Sequence, residues 1–247
     1  MFLSRLRAYL LIDPLIVIAT VVLGSASLLA SAFDKRGRTQ HAIARLWARI
    51  LLAVSGARIR IEGVEKLDTD AAYVLVANHS SYMDTPAVLL IPLQIRFFAK
   101  GGLFRIPLLG GHLRRAGHLP VVRDNPRASL KSLTEGARLV RERGVSVLLF
   151  PEGGRSAHGL RGFKEGAAYI AIKAAVPVVP MAVVGMRELL PMGSIHIRGG
   201  RVTVRIGDPI DTRGLKLADR MDLTERLHAE VARMLEGSAE PVIHSSS

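Results

Sequence analysis

A run of twenty residues without a charged side chain, Pro14–Phe33, constrains the fold of this chain more than any other feature of its sequence. A helix of that length extends roughly 30 Å, which is the thickness of the hydrocarbon core of a bilayer. The run predicts either a membrane-embedded helix or a cleaved signal peptide, with Arg5 and Arg7 at its basic start and Ala30-Ser31-Ala32 as the cleavage site. The stretch exceeds a usual signal-peptide core and Asp13-Pro14 interrupts its approach, so the membrane helix is favoured.

A second segment, residues 41–55, has the apolar spacing of an amphipathic helix, with Arg45 and Arg49 on another face. Two interpretations are open. The helix lies at a lipid headgroup surface with Trp47 as an interfacial residue, or it is an ordinary helix packed on the globular domain. We predict that residues 1–56 form N-terminal membrane-anchoring helices, arranged as a single span or as a helical hairpin.

The charge balance favours an anionic partner for this region. The chain has 34 Lys and Arg residues against 21 Asp and Glu residues, a formal net charge of +13. Lys35, Arg36 and Arg38 favour anionic headgroups. More basic residues follow the apolar run than precede it, which predicts a location at the cytoplasmic face of the cell (inner) membrane. A phospholipid membrane surface is therefore a predicted partner.

The composition also weighs against other classes of protein. A membrane-bound nucleic-acid-binding protein would explain the charge, but aromatic residues make up only 5% of the chain, the basic residues are scattered, and no recognition motif is present. We therefore predict no nucleic-acid partner. The chain has no cysteine, which excludes disulfides, cysteine nucleophiles and thiolate zinc sites. Ser80 and Ser81 do not lie in a G-x-S-x-G elbow, so a serine esterase is not favoured.

From residue 57 onward the patterns of strands and helices alternate, which predicts an α/β fold with a mixed sheet flanked by helices. We expect this catalytic domain to cover residues 57–237 and residues 238–247 to form a flexible tail. Strands are predicted at residues 58–62, 73–77, 94–99, 145–150, 177–184 and 202–206. Helices are predicted at residues 126–143, where Asn125-Pro126 gives a start and Gly144 a stop, and at residues 163–174 and 223–235.

The first cluster of reactive side chains is Asn78-His-Ser-Ser-Tyr-Met-Asp84, directly after a predicted buried strand. Imidazole suits a general base near neutral pH. In one continuous helix His79 and Asp84 would lie about 140° apart, so they can face each other only if a turn intervenes. Asp84 would then orient His79. The alternative is a loop histidine beside an aspartate that caps a helix.

The second cluster is Phe150-Pro-Glu-Gly-Gly-Arg-Ser156, after another buried strand. Consecutive glycines let backbone N–H groups approach an anion closely, and Arg155 can bind a phosphate through two N–H groups. Glu152 can hold that arginine or a substrate hydroxyl. Taken alone, the segment also fits a plain glycine turn with a solvated arginine.

Together these segments resemble the glycerolipid acyltransferases of the 1-acyl-glycerol-3-phosphate acyltransferase type, over about residues 57–207. Residues 78–84 resemble that family's histidine–four residues–aspartate block, residues 150–156 its Phe-Pro-Glu-Gly-Thr-Arg-Ser block, and residues 176–180 its late proline-containing block. Further residues fall where the intervening block would place them: Lys100, Phe104, Pro107, Gly110, Gly117 and Arg123. One departure is Gly154, which stands where the family has threonine; its missing hydroxyl bears on substrate preference.

The resemblance implies the glycerolipid acyltransferase αβ-fold and acyl transfer from acyl-CoA or acyl-ACP to the sn-2 hydroxyl of 1-acyl-sn-glycerol-3-phosphate, which forms phosphatidic acid. It implies that His79 is the general base and that Asp84 orients and stabilises it. No metal and no cofactor beyond the acyl donor are implied. Other acceptors are open as alternatives: another lysophospholipid, glycerol-3-phosphate or a lyso-aminolipid would be acylated by the same chemistry.

By the same resemblance, other residues bind the acceptor or shape the site. Arg155 with Glu152 and Gly153 would organise the acceptor's phosphate, and Arg123 and Lys100 would make secondary phosphate contacts. Four more residues lie in the matching blocks next to these side chains and are expected to support the site structurally: Asn78, Phe150, Pro151 and Pro180.

Overall fold

The computed structural model of this chain describes residues 13–34, 36–122, 125–156, 158–194 and 197–237. Within these residues seven strands form one sheet in the order β1-β7-β6-β2-β5-β3-β4. The strands are β1 (Ala57–Glu62), β2 (Val74–Ala77), β3 (Ile95–Lys100), β4 (Leu119–Val121), β5 (Ser146–Leu149), β6 (Val178–Val184) and β7 (Gly200–Ile206). Neighbouring strands are parallel except for the antiparallel pair β6–β7, so the predicted mixed sheet is confirmed.

Helices cover both faces of the sheet. They are α1 (Asp13–Ala30), α2 (Arg38–Val54), α3 (Asp84–Val88), α4 (Leu109–Ala116), α5 (Pro126–Arg143), α6 (Gly166–Ala174), α7 (Met186–Leu189) and α8 (Arg220–Glu236). Short 3-10 turns lie at Val64–Lys66, Gly101–Arg105 and Leu217–Asp219. The start and stop predicted for α5 are confirmed, because Asn125 Oδ1 accepts from Ala128 N at 3.0 Å and Gly144 follows at a φ of 61°.

The centre of the sheet is buried on both faces. All four residues of β2 are fully buried, which explains its uninterrupted apolar sequence. On one face Leu75 and Leu148 pack in a cluster with Leu51 of α2. On the opposite face Val76 belongs to a second cluster formed with residues of α5, α6 and α8. The strands that carry the two predicted site segments are therefore fixed by cores on both sides.

The second N-terminal helix is part of the globular core. Leu51 and Leu52 of α2 are buried against the sheet. Arg45 donates to the backbone carbonyls of Leu89, Ile91 and Leu93 at 3.2, 3.0 and 2.8 Å. Of the two interpretations of this segment, the structure shows the ordinary packed helix. The half-buried side chain of Trp47 faces α1, where its Nε1 donates to Thr20 Oγ1 at 3.0 Å. The interfacial role expected for Trp47 stays a prediction.

The helix expected from the uncharged run is present as α1, and one side of it is exposed. Among its exposed apolar side chains Ile18 and Val22 are both 58% accessible to solvent. Its other side is anchored, since Ser27 Oγ lies 2.6 Å from Nδ1 of His112 in α4. Across the residues that the structure describes, no helix is long and apolar enough to cross a membrane.

Several predictions concern residues outside the described ranges. They are those on Arg5 and Arg7, Lys35, Arg123 and residues 238–247. The domain boundary placed at residue 57 stays a prediction.

Three histidines lie where α2, α4 and β3 approach one another: His41 and His118 are buried, and His112 is half-buried. Burial lowers the pKa of His41 to about 3 and the pKa of His112 to about 4, and the nearby Arg96 guanidinium acts in the same direction on both. Burial also holds the pKa of His118 well below its usual value. Its Nδ1 accepts from Phe97 N at 3.1 Å, which requires the unprotonated nitrogen. These imidazoles are therefore neutral parts of the fold.

Candidate active site

The reactive segments follow the carboxyl ends of neighbouring parallel strands. His79 follows β2, and Glu152 and Arg155 follow β5, which pairs directly with β2. Because the carboxyl ends of parallel strands meet at one edge of a sheet, both loops emerge together there. Ser156 N donates to His79 O at 2.8 Å, so the second loop is bonded to the first.

His79 and Asp84 form a close pair. Asp84 is the first residue of α3, and the turn before it brings the carboxylate to the imidazole, with Nδ1 and Oδ2 at 2.8 Å. Oδ2 also accepts from the backbone N–H groups of Ser80 and Ser81 at 2.7 and 2.8 Å. The Asp84 side chain is completely buried, while 17% of the His79 side chain is exposed. The carboxylate is therefore fixed inside the protein, and the imidazole reaches the surface.

The pair determines which ring nitrogen of His79 is available. An ionised carboxylate only accepts hydrogen bonds, so the hydrogen bond to Asp84 assigns the proton of neutral His79 to Nδ1. The unprotonated Nε2 is then the nitrogen that can accept a proton from a substrate. The ring of Phe150 stacks on the imidazole, with centroids 4.1 Å apart and planes 15° apart, and this contact holds the ring plane.

Asn78 joins the strand that carries His79 to β6. Its side-chain Nδ2 donates to Val183 O at 3.0 Å, and its Oδ1 accepts from Val183 N at 2.7 Å. Pro180 lies in the same strand, and its carbonyl accepts from Gly207 N at 2.8 Å. Pro151 accepts from Lys164 N at 3.0 Å through its carbonyl. These residues hold backbone segments around the site.

Glu152 is buried in the structure, with both carboxylate oxygens engaged. Oε1 accepts from His79 N at 2.7 Å, and Oε2 accepts from Arg161 N at 3.0 Å. The side chain is thus bonded to the backbone on two sides of the loop. Its observed contacts are those of a brace between the two site segments.

The two glycines of the second loop differ in their surroundings. Gly153 has a φ of 74°, a conformation that favours glycine, and an added Cβ would lie 3.0 Å from Lys164 Cε. Among the residues that the structure describes, an added Cβ at Gly154 would meet only Arg161, at 3.8 Å. The threonine that the family carries there would therefore find space in this loop.

The predicted anion-binding residues Arg155 and Lys100 follow β5 and end β3, two strands that lie on the opposite side of β2 from β6. The Arg155 guanidinium lies 3.5 Å from the centroid of the Tyr82 ring, and Tyr82 is 67% exposed. Lys100 ends β3 and is exposed, with β5 lying between β3 and β2. The contribution of Tyr82 was not expected, because spacing alone does not show that it stacks on Arg155.

A pocket of about 380 Å³ lies beside His79, between the loop after β5 and the end of β6. Sequence reasoning missed the residues of its other walls, among them Leu160, Arg187 and Leu235. The signal that could have found Arg187 is its place just after β6, as His79 comes just after β2.

A family model described as Acyltransferase matches residues 58–184, the part of the chain that contains strands β2 to β6 and both reactive segments. The chain belongs to this family, which confirms the resemblance read from the sequence.

The most informative relatives are 1-acyl-sn-glycerol-3-phosphate acyltransferases. The chain is 35% identical to a chloroplastic enzyme of that name from Brassica napus, and the match covers 86% of this chain and 64% of the relative. It is also 35% identical to a chloroplastic enzyme of that name from Arabidopsis thaliana, where the match covers 89% of this chain and 66% of the relative. It thus spans about two thirds of the length of these relatives. The crystal structure of the 1-acyl-sn-glycerophosphate (LPA) acyltransferase from Thermotoga maritima aligns with a TM-score of 0.80 and 26% identity, over 95% of this chain and 97% of that one.

Proposed function

We propose that this protein transfers an acyl group from an acyl thioester to the sn-2 hydroxyl of 1-acyl-sn-glycerol-3-phosphate and so forms phosphatidic acid. The observation that carries the proposal is the His79–Asp84 pair, with its 2.8 Å hydrogen bond, at the carboxyl edge of the sheet. The names of the relatives support the acceptor. The reaction needs one group that removes a proton from a hydroxyl, and His79 is placed for that task.

In the proposed mechanism His79 acts through Nε2. The acceptor hydroxyl gives its proton to Nε2 while its oxygen attacks the thioester carbonyl. The imidazolium that forms keeps its Nδ1–H bond to the Asp84 carboxylate, which stabilises the new positive charge. When the tetrahedral intermediate collapses, the carbon–sulfur bond breaks and the thiol leaves with the proton that His79 returns.

The acceptor's phosphate is assigned to the β5 and β3 side of His79. Arg155 offers a planar cationic group, and stacking on Tyr82 holds its plane. Gly153 keeps the backbone of the loop accessible to an anion. Lys100 and Arg123 are proposed as secondary phosphate contacts. For Glu152 we propose a positioning role, since both of its oxygens already accept backbone N–H groups.

The enzyme must reach lipid substrates, and we assign membrane contact to the exposed side of α1. Its exposed apolar side chains are Leu15, Val17, Ile18, Val21, Val22 and Leu29. Phe33, just after the helix, is 93% exposed, and the basic Arg36 and Arg38 follow it on the surface. Apolar groups flanked by basic side chains suit insertion at the surface of an anionic membrane, at the cytoplasmic face in this proposal.

A second acceptor is favoured by one observation. Gly154 leaves space in the phosphate loop where the family has a threonine hydroxyl. The missing hydroxyl allows a lysophospholipid with a larger headgroup to bind in place of 1-acyl-sn-glycerol-3-phosphate.

The test is acyl transfer by the purified full chain with radiolabelled acyl-CoA and acyl-ACP and a panel of lyso-acceptors. We expect labelled phosphatidic acid from one or both donors. His79→Ala should reduce transfer by roughly 10²- to 10⁴-fold in a folded protein, the range for loss of a general base. Absence of transfer to every acceptor would reject the function. A folded His79→Ala protein with wild-type turnover would reject the mechanism.

A further inference from the structure

The pocket beside His79 is formed by the ends of β2 and β6, the loop after β5, and α7 and α8. His79 and Ser80 form one wall, so the pocket is bounded by the residue that we propose as the general base. Much of the remaining wall is apolar and consists of Leu160, Val183, Val184, Ala232 and Leu235. The volume of about 380 Å³ suits a flexible organic chain rather than a single ion.

The two strands beside β2 each lead into a segment that carries an arginine. Strand β2 lies between β5 and β6 and is parallel to both. Arg155 follows β5, and Arg187 follows β6 on the opposite side. Because neighbouring strands are about 4.8 Å apart, the two arginines come from strands separated by roughly 10 Å. Arg155 does not line the pocket, whereas Arg187 does.

One N–H group of the Arg187 side chain lacks a hydrogen-bond acceptor among the described residues. This group is Nε, which is buried. Buried N–H groups in native proteins are nearly always paired, so each exception calls for an explanation. A cationic donor on the wall of a pocket that His79 also lines suits an anionic group of a substrate, because guanidinium matches phosphate geometry.

We propose that this pocket holds the phosphopantetheine arm of the thioester donor and that Arg187 pairs with the phosphate of that arm. The inference rests on the proposed acyl transfer. Both substrates of that reaction carry a phosphate, and both must meet at His79. With the acceptor's phosphate at Arg155, the donor takes the β6 side. The apolar walls suit the alkyl part of the arm, and its phosphate is shared by acyl-CoA and acyl-ACP.

Two exposed acidic residues of the pocket provide a second test of the proposed phosphate position. Glu188 and Glu236 line the pocket and are exposed. Carboxylates near a bound phosphate repel it, although solvent weakens the effect. Removing one of these negative charges should therefore strengthen binding of the acyl donor, whereas removing the positive charge of Arg187 should weaken it.

The test measures donor and acceptor KM separately with the purified full chain in mixed lipid–detergent micelles. The donors are acyl-CoA and acyl-pantetheine, which carries the same thioester without a phosphate. Arg187→Gln should raise the KM for acyl-CoA about tenfold or more, the value expected for one charge-assisted contact. The KM for acyl-pantetheine and the acceptor KM should stay unchanged. Glu188→Gln should lower the KM for acyl-CoA slightly.

The matched control is Arg198→Gln, which removes an exposed arginine outside the pocket and should leave every KM unchanged. Thermal unfolding identifies a variant that fails to fold, and Arg187→Lys then serves as the milder replacement. A rise of the acceptor KM alone would overturn the donor assignment, because Arg187 would then bind the phosphate of the acceptor. Equal losses with acyl-CoA and acyl-pantetheine would overturn recognition of a phosphate. Failure of the wild type with every donor would instead reject the proposed function.

Discussion

Asp84→Asn tests the electrostatic half of the proposed mechanism, because it removes one charge with little change in shape. Three N–H groups point at Asp84 Oδ2: Nδ1 of His79 and the backbone N–H groups of Ser80 and Ser81. An asparagine with its carbonyl oxygen in the Oδ2 position keeps all three hydrogen bonds. The variant then leaves His79 in the same tautomer and removes only the charge that faces the imidazolium.

The magnitude follows from the 2.8 Å separation and the complete burial of the carboxylate. Hydrogen bonds to charged groups contribute about 1.5–3 kcal/mol, and a pair of unit charges at about 4 Å gains about 4 kcal/mol at an effective dielectric constant of 20. A loss of about 2–4 kcal/mol in the transition state lowers kcat roughly 30- to 1,000-fold. KM for either substrate should change little, since neither touches the buried carboxylate.

The assay is steady-state kcat together with a double-mutant cycle. The effects of Asp84→Asn and His79→Ala should not add, because the carboxylate acts through the imidazole. Thermal unfolding controls for loss of the fold. A folded Asp84→Asn protein with kcat within threefold of wild type would refute the reasoning. So would a double variant much slower than His79→Ala alone, since Asp84 would then act on something other than His79.

Three further predictions address binding and stability. Arg155→Lys should raise the acceptor KM roughly ten- to hundredfold with a smaller change in kcat, because lysine lacks the planar pair of donors; a fall in kcat alone would contradict the assignment. Tyr82→Leu should raise the acceptor KM severalfold while Tyr82→Phe restores it, since the ring face rather than the hydroxyl lies 3.5 Å from Arg155; equal effects of both would exclude a role of the stack. Stability should fall as the pH drops below about 6.5, by about 1.4 kcal/mol per pH unit for each neutral buried histidine, because unfolding lets it bind a proton. The pKa values of His41 and His112 are lowered to about 3 and about 4, so the loss of stability continues toward pH 4. Urea unfolding between pH 7 and pH 4 measures the free energy of unfolding, and a value that does not change with pH would contradict the prediction.

The elements predicted well are those whose signals are local. Helix α5 has a capping Asn125, a proline at its first position and Gly144 after its last, and these residues determine its ends without help from the rest of the fold. The short elements were not predicted. Strand β4 has three residues and contains Pro120, and it exists because β3 lies beside it at the sheet edge. No pattern within three residues indicates such pairing.

The site shows the same division. Strand-end reasoning brought the loops of His79 and Arg155 together, because parallel strands share an edge. What it could not show is which polar atoms are already used. Glu152 has both oxygens bonded to backbone N–H groups, whereas Nε of Arg187 has no hydrogen-bond partner within the described part of the chain. Pairing of this kind depends on the path of the loops in space, so it follows from the structure alone.

The N-terminal helices show why an amphipathic pattern has two physical solutions. A stripe of apolar residues between arginines can face lipid or a protein core, and both remove it from water. In α2 the contacts of Arg45 favour the protein core, because its guanidinium donates to three backbone carbonyls in the segment 89–93. Leu89 is the residue that caps the end of α3, and the other two carbonyls lie in the segment between α3 and β3. A lipid chain has no donor for such carbonyls. Leu51 and Leu52 of α2 are therefore committed to the core, and the membrane contact that we propose is placed on the exposed side of α1.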